Sequence, residues 1–188
     1  MLVGLIILGV VVVGLIWGVA IYNGLVRLRA LVKEGFSGIT VQLRRRADLI
    51  PNLVSTVEGY ATHEREVLSQ VTAHRADAVQ GGSVAATAQA DMAMTGMLGR
   101  LMAVAEAYPD LKANENFQQL QSELTEIEDS LQSARRYYNA TVRDLNTKIQ
   151  SFPDVLVARP MGFTEEEFYT DTDSSIQSAP VVKFGAKA

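Results

Sequence analysis

The residues with the clearest chemical spacing are His63-Glu64-Arg65-Glu66-Val67. A helical His-Glu-x-x-His puts two imidazoles one turn apart on one face, where they bind zinc and the glutamate serves as general base. Here Val67 stands in place of the second histidine, so the zinc pair is incomplete. His74 does not replace it. Eleven residues further along a helix it returns to a similar face, but about 16 Å away. The chain has no G-x-S-x-G, no phosphate loop and no dinucleotide fingerprint. It has no cysteine, which removes disulfides, thiolate ligands, a cysteine nucleophile and a lipidated anchor together. No catalytic, cofactor-binding or metal-binding residue is assigned, and the chain is read as a non-enzyme.

Glu64 invites a different reading. It falls within an apolar stripe formed by Val57, Leu68 and Val71, where an unpaired carboxylate costs about several kcal/mol to desolvate. Arg135 and Arg136 border the corresponding stripe of the last long helical segment. The expectation is a buried Glu64–Arg135 or Glu64–Arg136 pair that fixes helix register, the alternative being a solvated Glu64 at the stripe edge. Gln42, Asn52, Asn114, Asn116 and Asn139 stand at helix ends or beside stripes, where capping and interhelical hydrogen bonds employ them. Arg44, Arg45 and Arg46 span about 200° of a helix and cannot all face one plane. They read as a solvated, partly paired cluster.

These residues must be positioned by helices, the first of which is apolar throughout. Leu2 to Tyr22 carries no charge and no strongly polar group. As a helix it is about 31 Å long, matching a hydrocarbon core of about 30 Å. Trp17 and Tyr22 fall near its end, as aromatic rings do at the headgroup boundary. Gly14 and Gly18 form a GxxxG suited to close helix packing in lipid. Arg27, Arg29 and Lys33 follow at a height where they meet anionic headgroups. Gly18-Val19-Ala20 has the form of a signal-peptide cleavage site, but no basic residue precedes the apolar run. A retained transmembrane anchor is the expectation.

The net charge of −4 conceals an asymmetry. Residues 23–50 hold six Lys/Arg against two acids, whereas residues 51–188 hold eleven basic and nineteen acidic residues. The positive-inside bias therefore places the body in the cytoplasm and the N-terminus outside, in a single-pass bacterial inner-membrane topology. A body of that negative balance is a poor nucleic-acid binder.

From Leu25 onward apolar residues recur at helical steps: Ile39, Leu43, Ala47, Ile50, Val54, Val57, Ala61, Leu68 and Val71. The phase passes through Pro51, so either a helix ends near Leu49 or one long helix kinks there, and the continuous phase favours the kink. Gln80-Gly81-Gly82-Ser83 is a break. Val84–Ala107 is helical, Tyr108–Asn114 is a loop, and Asn114 caps a long helix running to Ser151. Strand-like alternation is missing. The expected fold is all-α: an anchor over 1–24, an elongated antiparallel bundle of three to four long helices over 25–153, and a largely irregular extension over 154–188. Within that extension Thr164–Tyr169 is expected to make one helical turn, with a polar tail from Thr170.

Several blocks resemble the LemA family of bacterial membrane-anchored helical proteins. They are Tyr22–Arg29, Val41–Val54 continuing into Gly59–Glu64, Tyr108–Phe117, Ala134–Asn139 and Phe152-Pro153, in family order over about 150 residues. Thr40 stands where the family usually has Asp, and Ile127-Glu128-Asp129 replaces the usual Glu-Asn-Arg. The resemblance implies an anchored helical bundle with a cytoplasmic domain and supplies no reaction. The functional expectation is a membrane-anchored scaffold or adaptor that binds lipid and self-associates. A regulatory subunit of other membrane proteins, such as proteases or sensors, is the alternative, and an uncharacterised enzyme the remaining one. No cofactor is implied.

Overall fold

The structure, a computed structural model, describes residues 2–61, 63–79 and 82–170, the side chains of 74–79 excepted. These residues are all helical or irregular, with no strand among them. Six helices follow in order: α1 (Leu2–Glu58), α2 (Arg65–Val79), α3 (Val84–Ala107), α4 (Pro109–Lys112), α5 (Glu115–Gln150) and α6 (Val155–Ala158).

Helix α1 is a single element of 57 residues, about 86 Å long at the usual rise. Among the described residues, 2–20 bury none of their side chains. From Ile21 the same helix turns a stripe inward: Leu25, Val32, Ile39, Leu43, Ala47, Ile50, Leu53 and Val57 are buried. Their spacing of three, four and seven residues keeps one face on the core. Pro51 lies inside α1. A proline there removes a hydrogen bond and costs about 3 kcal/mol. The buried Ile50, Leu53 and Val57 around it supply packing that offsets this.

The chain leaves α1 at Gly59-Tyr60, not at Pro51. The N–H groups of Tyr60 and Ala61 both donate to the Val57 carbonyl, at 3.0 and 2.8 Å, closing the last turn. Ala61, Leu68 and Val71 then join Val57 in one core cluster. The apolar phase therefore looks unbroken in sequence although the helix ends within it. The segment Tyr108–Asn114, expected as a loop, contains the single turn α4, and Asn114 caps α5 as anticipated, accepting from the Phe117 N–H at 3.0 Å.

Helices α1 and α5 run antiparallel along most of their length. Lys148 adjoins Gly24, Tyr138 adjoins Gly35, and Asn114 donates to the Tyr60 hydroxyl at 3.0 Å. Rising numbers on one helix meet falling numbers on the other. Two apolar clusters result. One gathers Leu25, Ile39, Leu43, Leu131, Tyr138 and Leu145. The other, further from the apolar segment, gathers Ile50, Leu53, Met94, Leu101, Leu111 and Phe117.

Residues 162–170 are not helical. They form an extended strap along α5, with Phe163 and Tyr169 buried, correcting the helical turn expected at Thr164–Tyr169. Gly162 turns the chain into the strap at a φ of 71°, a conformation that suits glycine. The tail from 171 onward lies outside the described residues.

Gly35 permits the close approach of α1 and α5. A Cβ placed there would lie 3.1 Å from Tyr138 Cα, so a larger residue must push the helices apart. Gly35→Val should destabilise the body by about 1–3 kcal/mol, whereas Gly38→Ala, with open space around it, should stabilise it by about 0.5–1 kcal/mol. Thermal melts of the detergent-solubilised protein, followed by circular dichroism, would show opposite shifts.

Candidate functional site

Between the two apolar clusters lies a layer of charge. Arg46 and Asp91 are each 1% exposed, on α1 and α3 respectively. Arg46 Nη1 donates to Asp91 Oδ1 at 2.8 Å, and its Nη2 donates to Thr95 Oγ1 at 2.7 Å. Its Nε lies 2.9 Å from Glu128 Oε1 on α5, an ion-pair contact without the alignment of a hydrogen bond. Arg135, also on α5, donates through Nη2 to Asp91 Oδ2. The Tyr169 hydroxyl donates to that same oxygen at 2.6 Å. One carboxylate thus ties together α1, α3, α5 and the strap. Desolvating such charges is costly, and only a full set of partners offsets it.

The strap is held chiefly through its backbone. Asn139 donates to the Tyr169 carbonyl at 2.9 Å and accepts from its N–H at 2.8 Å. Asn146 treats Glu166 the same way, both bonds being 2.9 Å. The Tyr138 hydroxyl donates to the Glu167 carbonyl at 2.8 Å. Burial, then the neighbouring Glu166 and Glu167 carboxylates, push Tyr138 up to about 12 from its ordinary 10.0. Glu165 and Glu167 themselves face solvent.

The sequence expectations meet this arrangement unevenly. The Glu64 pair with Arg135 or Arg136 does not form. Glu64 sits half-buried in the turn before α2, where its carbonyl accepts from the Leu68 N–H at 3.2 Å. In the α1–α5 register Arg135 stands level with about residue 38, about 30 Å short of the end of α1 at Glu58, and Glu64 lies in the turn beyond that end. Arg135 neutralises Asp91 instead. Arg136 reaches only Gln132 and Ser133 on its own helix, at 3.5 and 3.1 Å. Of the arginine triplet, Arg44 and Arg45 are exposed and Arg46 is buried, so the cluster is not solvated as a whole. Arg29, expected at the headgroups, is half-buried, with its guanidinium 4.4 Å from the Phe163 ring centroid. Tyr22 meets the same ring edge-on at 5.7 Å, while its own surface stays 42% exposed. Arg27 and Trp17 are exposed, and nothing approaches within 4 Å of a Cβ at Gly14 or Gly18. His63 is exposed in the turn before α2, and the His74 side chain lies outside the described residues.

Asp91 escaped the sequence reading. Its signal was available: it is the one charged residue in Val84–Gly99, a run of small and apolar side chains.

Residues 35–184 match the LemA family. The chain belongs to the LemA family. Among its relatives is Protein LemA of Metamycoplasma hominis, 28% identical over 74% of this chain and 64% of that one. Magnetosome protein MamQ of Magnetospirillum gryphiswaldense is 25% identical over 79% of this chain and 64% of its own. Magnetosome protein MamQ 2 of Paramagnetospirillum magneticum is 26% identical over 80% and 65%. The chain thus matches slightly under two thirds of the length of these relatives. The LemA match begins inside α1, beyond the apolar segment, and takes in Arg46, Asp91, Arg135, Asn139 and Tyr169.

Two measurements probe the site. Asp91→Ala leaves the buried Arg46 and the partly buried Arg135 with one less counter-charge, and should cost about 3–5 kcal/mol, read as a lower melting temperature. Tyr138 gives the strap a pH dependence. Its folded pKa lies above the unfolded value, so its contribution is complete below pH 10 and is lost as pH rises through about 12. Protease sensitivity of the strap should rise across that window, and Tyr138→Phe should flatten the dependence.

Proposed function

We propose that this LemA-family chain is a non-catalytic, membrane-anchored scaffold that self-associates through its anchor. The observation that carries this reading is the two-part character of α1. Residues 2–20 have no partner among the described residues, while the same uninterrupted helix is packed into the body from Ile21. An apolar helix of that length is stable when surrounded by lipid. Gly14 and Gly18 leave a smooth strip on it with nothing against them, which suits a second copy of the same helix.

In this reading the body is a cytoplasmic bundle of α1, α2, α3 and α5, with the N-terminus outside. The basic residues of 23–50 support the orientation. The most buried polar cluster among the described residues holds Asp91 between two guanidiniums and a tyrosine hydroxyl, an arrangement that occupies the carboxylate and favours a structural role over proton transfer. Two of the relatives bear the name of a structure, the magnetosome, not of a reaction.

Mass measurement of the full chain in mild detergent should give a particle heavier than one chain, and Gly14→Leu with Gly18→Leu should shift it towards the single-chain mass. A strictly monomeric wild-type particle would overturn the self-association. The cysteine-free sequence allows topology to be read in parallel. A cysteine added ahead of Met1 should react with an impermeant maleimide in intact cells, and Gln121→Cys only after lysis.

A further inference from the structure

Ten residues between α5 and the strap carry three large apolar side chains turned to solvent. Phe152, Leu156 and Met161 are 80%, 61% and 60% exposed. Other large apolar residues exposed on the body, such as Val41, Tyr60 and Tyr137, are scattered and less exposed. Single exposed apolar residues are ordinary on a soluble surface, whereas a cluster marks a contact.

The height of this cluster on the molecule is fixed by the packing of α5 and the strap on α1. Lys148 lies against Gly24, with its Cε 3.3 Å from the Cβ position. The Phe163 ring sits between Tyr22 and Arg29. The turn from 152 to 161 joins these two points, so it stands beside residues 21–24, where the unpartnered apolar part of α1 ends. Cations stand at its rim, with the exposed Glu165 of the strap beside them. Arg27 and Arg159 are exposed, and the one acid within the turn, Asp154, is already paired with Lys148 at 3.1 Å. Apolar side chains at the tip with cations at the rim suit the boundary between acyl chains and anionic headgroups.

We propose that residues 152–161 are a second membrane contact, inserted into the interface of the leaflet from which α1 emerges. The partner is an anionic lipid surface. The inference rests on the reading of α1 as a membrane span, and it extends that reading from one point of attachment to two. A single helix leaves the body free to rotate about the helix axis. A second contact beside it fixes which face of the body looks at the bilayer.

The test uses the full chain reconstituted in vesicles of equal parts phosphatidylcholine and phosphatidylglycerol, with brominated acyl chains as quencher. Trp17, the only tryptophan, reports on the span. Leu156→Cys and Met161→Cys, each labelled with bimane, report on the turn, and labelled Gln121→Cys reports on the far end of the body. Using two turn positions guards against one label perturbing the fold. The expected result is quenching of Trp17 and of both turn probes, with a blue shift of the latter, and no quenching at 121. Quenched Trp17 with turn probes that behave like position 121 overturns the second contact and leaves the anchor standing. Unquenched Trp17 overturns the anchor reading, and the second contact falls with it.

Discussion

The structure depends on one helix that changes environment without changing its hydrogen-bonding. Helix α1 runs unbroken from Leu2 to Glu58, lacking only the bond that Pro51 cannot donate, thirty residues past Ile21, so no flexible joint separates the unpartnered apolar part from the packed part. Side-chain selection alone marks the transition. Before Ile21 all faces are apolar, and after it a single stripe is. Whatever orientation the first part adopts is transmitted to the second through a rod about 86 Å long. Helix α5 stiffens that rod by lying antiparallel against it, closest at Gly35, where backbone meets backbone.

Within that frame the Arg46–Asp91–Arg135 layer has a different task from the apolar clusters on either side. Burial of leucine and isoleucine supplies stability without caring strongly about register. A charged layer is intolerant of a shift: move α3 by one turn and Asp91 loses both guanidiniums while it and Arg46 remain desolvated. Such layers contribute little net stability compared with a hydrophobic replacement, and their value lies in excluding alternatives. Helix α3, rich in alanine and methionine, has little shape of its own to define a position, and Asp91 is the feature that defines it.

Much of this was legible in sequence and some was not. The apolar N-terminal helix, the helical periodicity, the cap at Asn114 and the family blocks were all local signals, and local signals survive folding. The end of α1 at Glu58 was hidden because Val57, Ala61 and Leu68 enter the same core from two helices, preserving the spacing across a break. The partner of Arg135 was hidden for a different reason. Pairing depends on which residues stand at the same height, and height depends on the register of α1 against α5, which no single stretch of sequence specifies. Glu64 had a suitable stripe but the wrong height. Asp91 had the right one. The strap was missed because Asn139, Asn146 and Tyr138 bind it through its main chain, which leaves no pattern in the side chains of 164–168.

That last property bears on how freely the gene can drift. Because two carboxamides read amide groups and not side chains, codons 164, 165, 167 and 168 can change with little loss of docking, the N–H groups in use being those of Glu166 and Tyr169. The selective burden shifts to Asn139, Asn146 and Tyr169, one asparagine for each pair of main-chain bonds and one ring to reach the carboxylate beneath. Two chains differing at most strap positions would still close over the same buried charge.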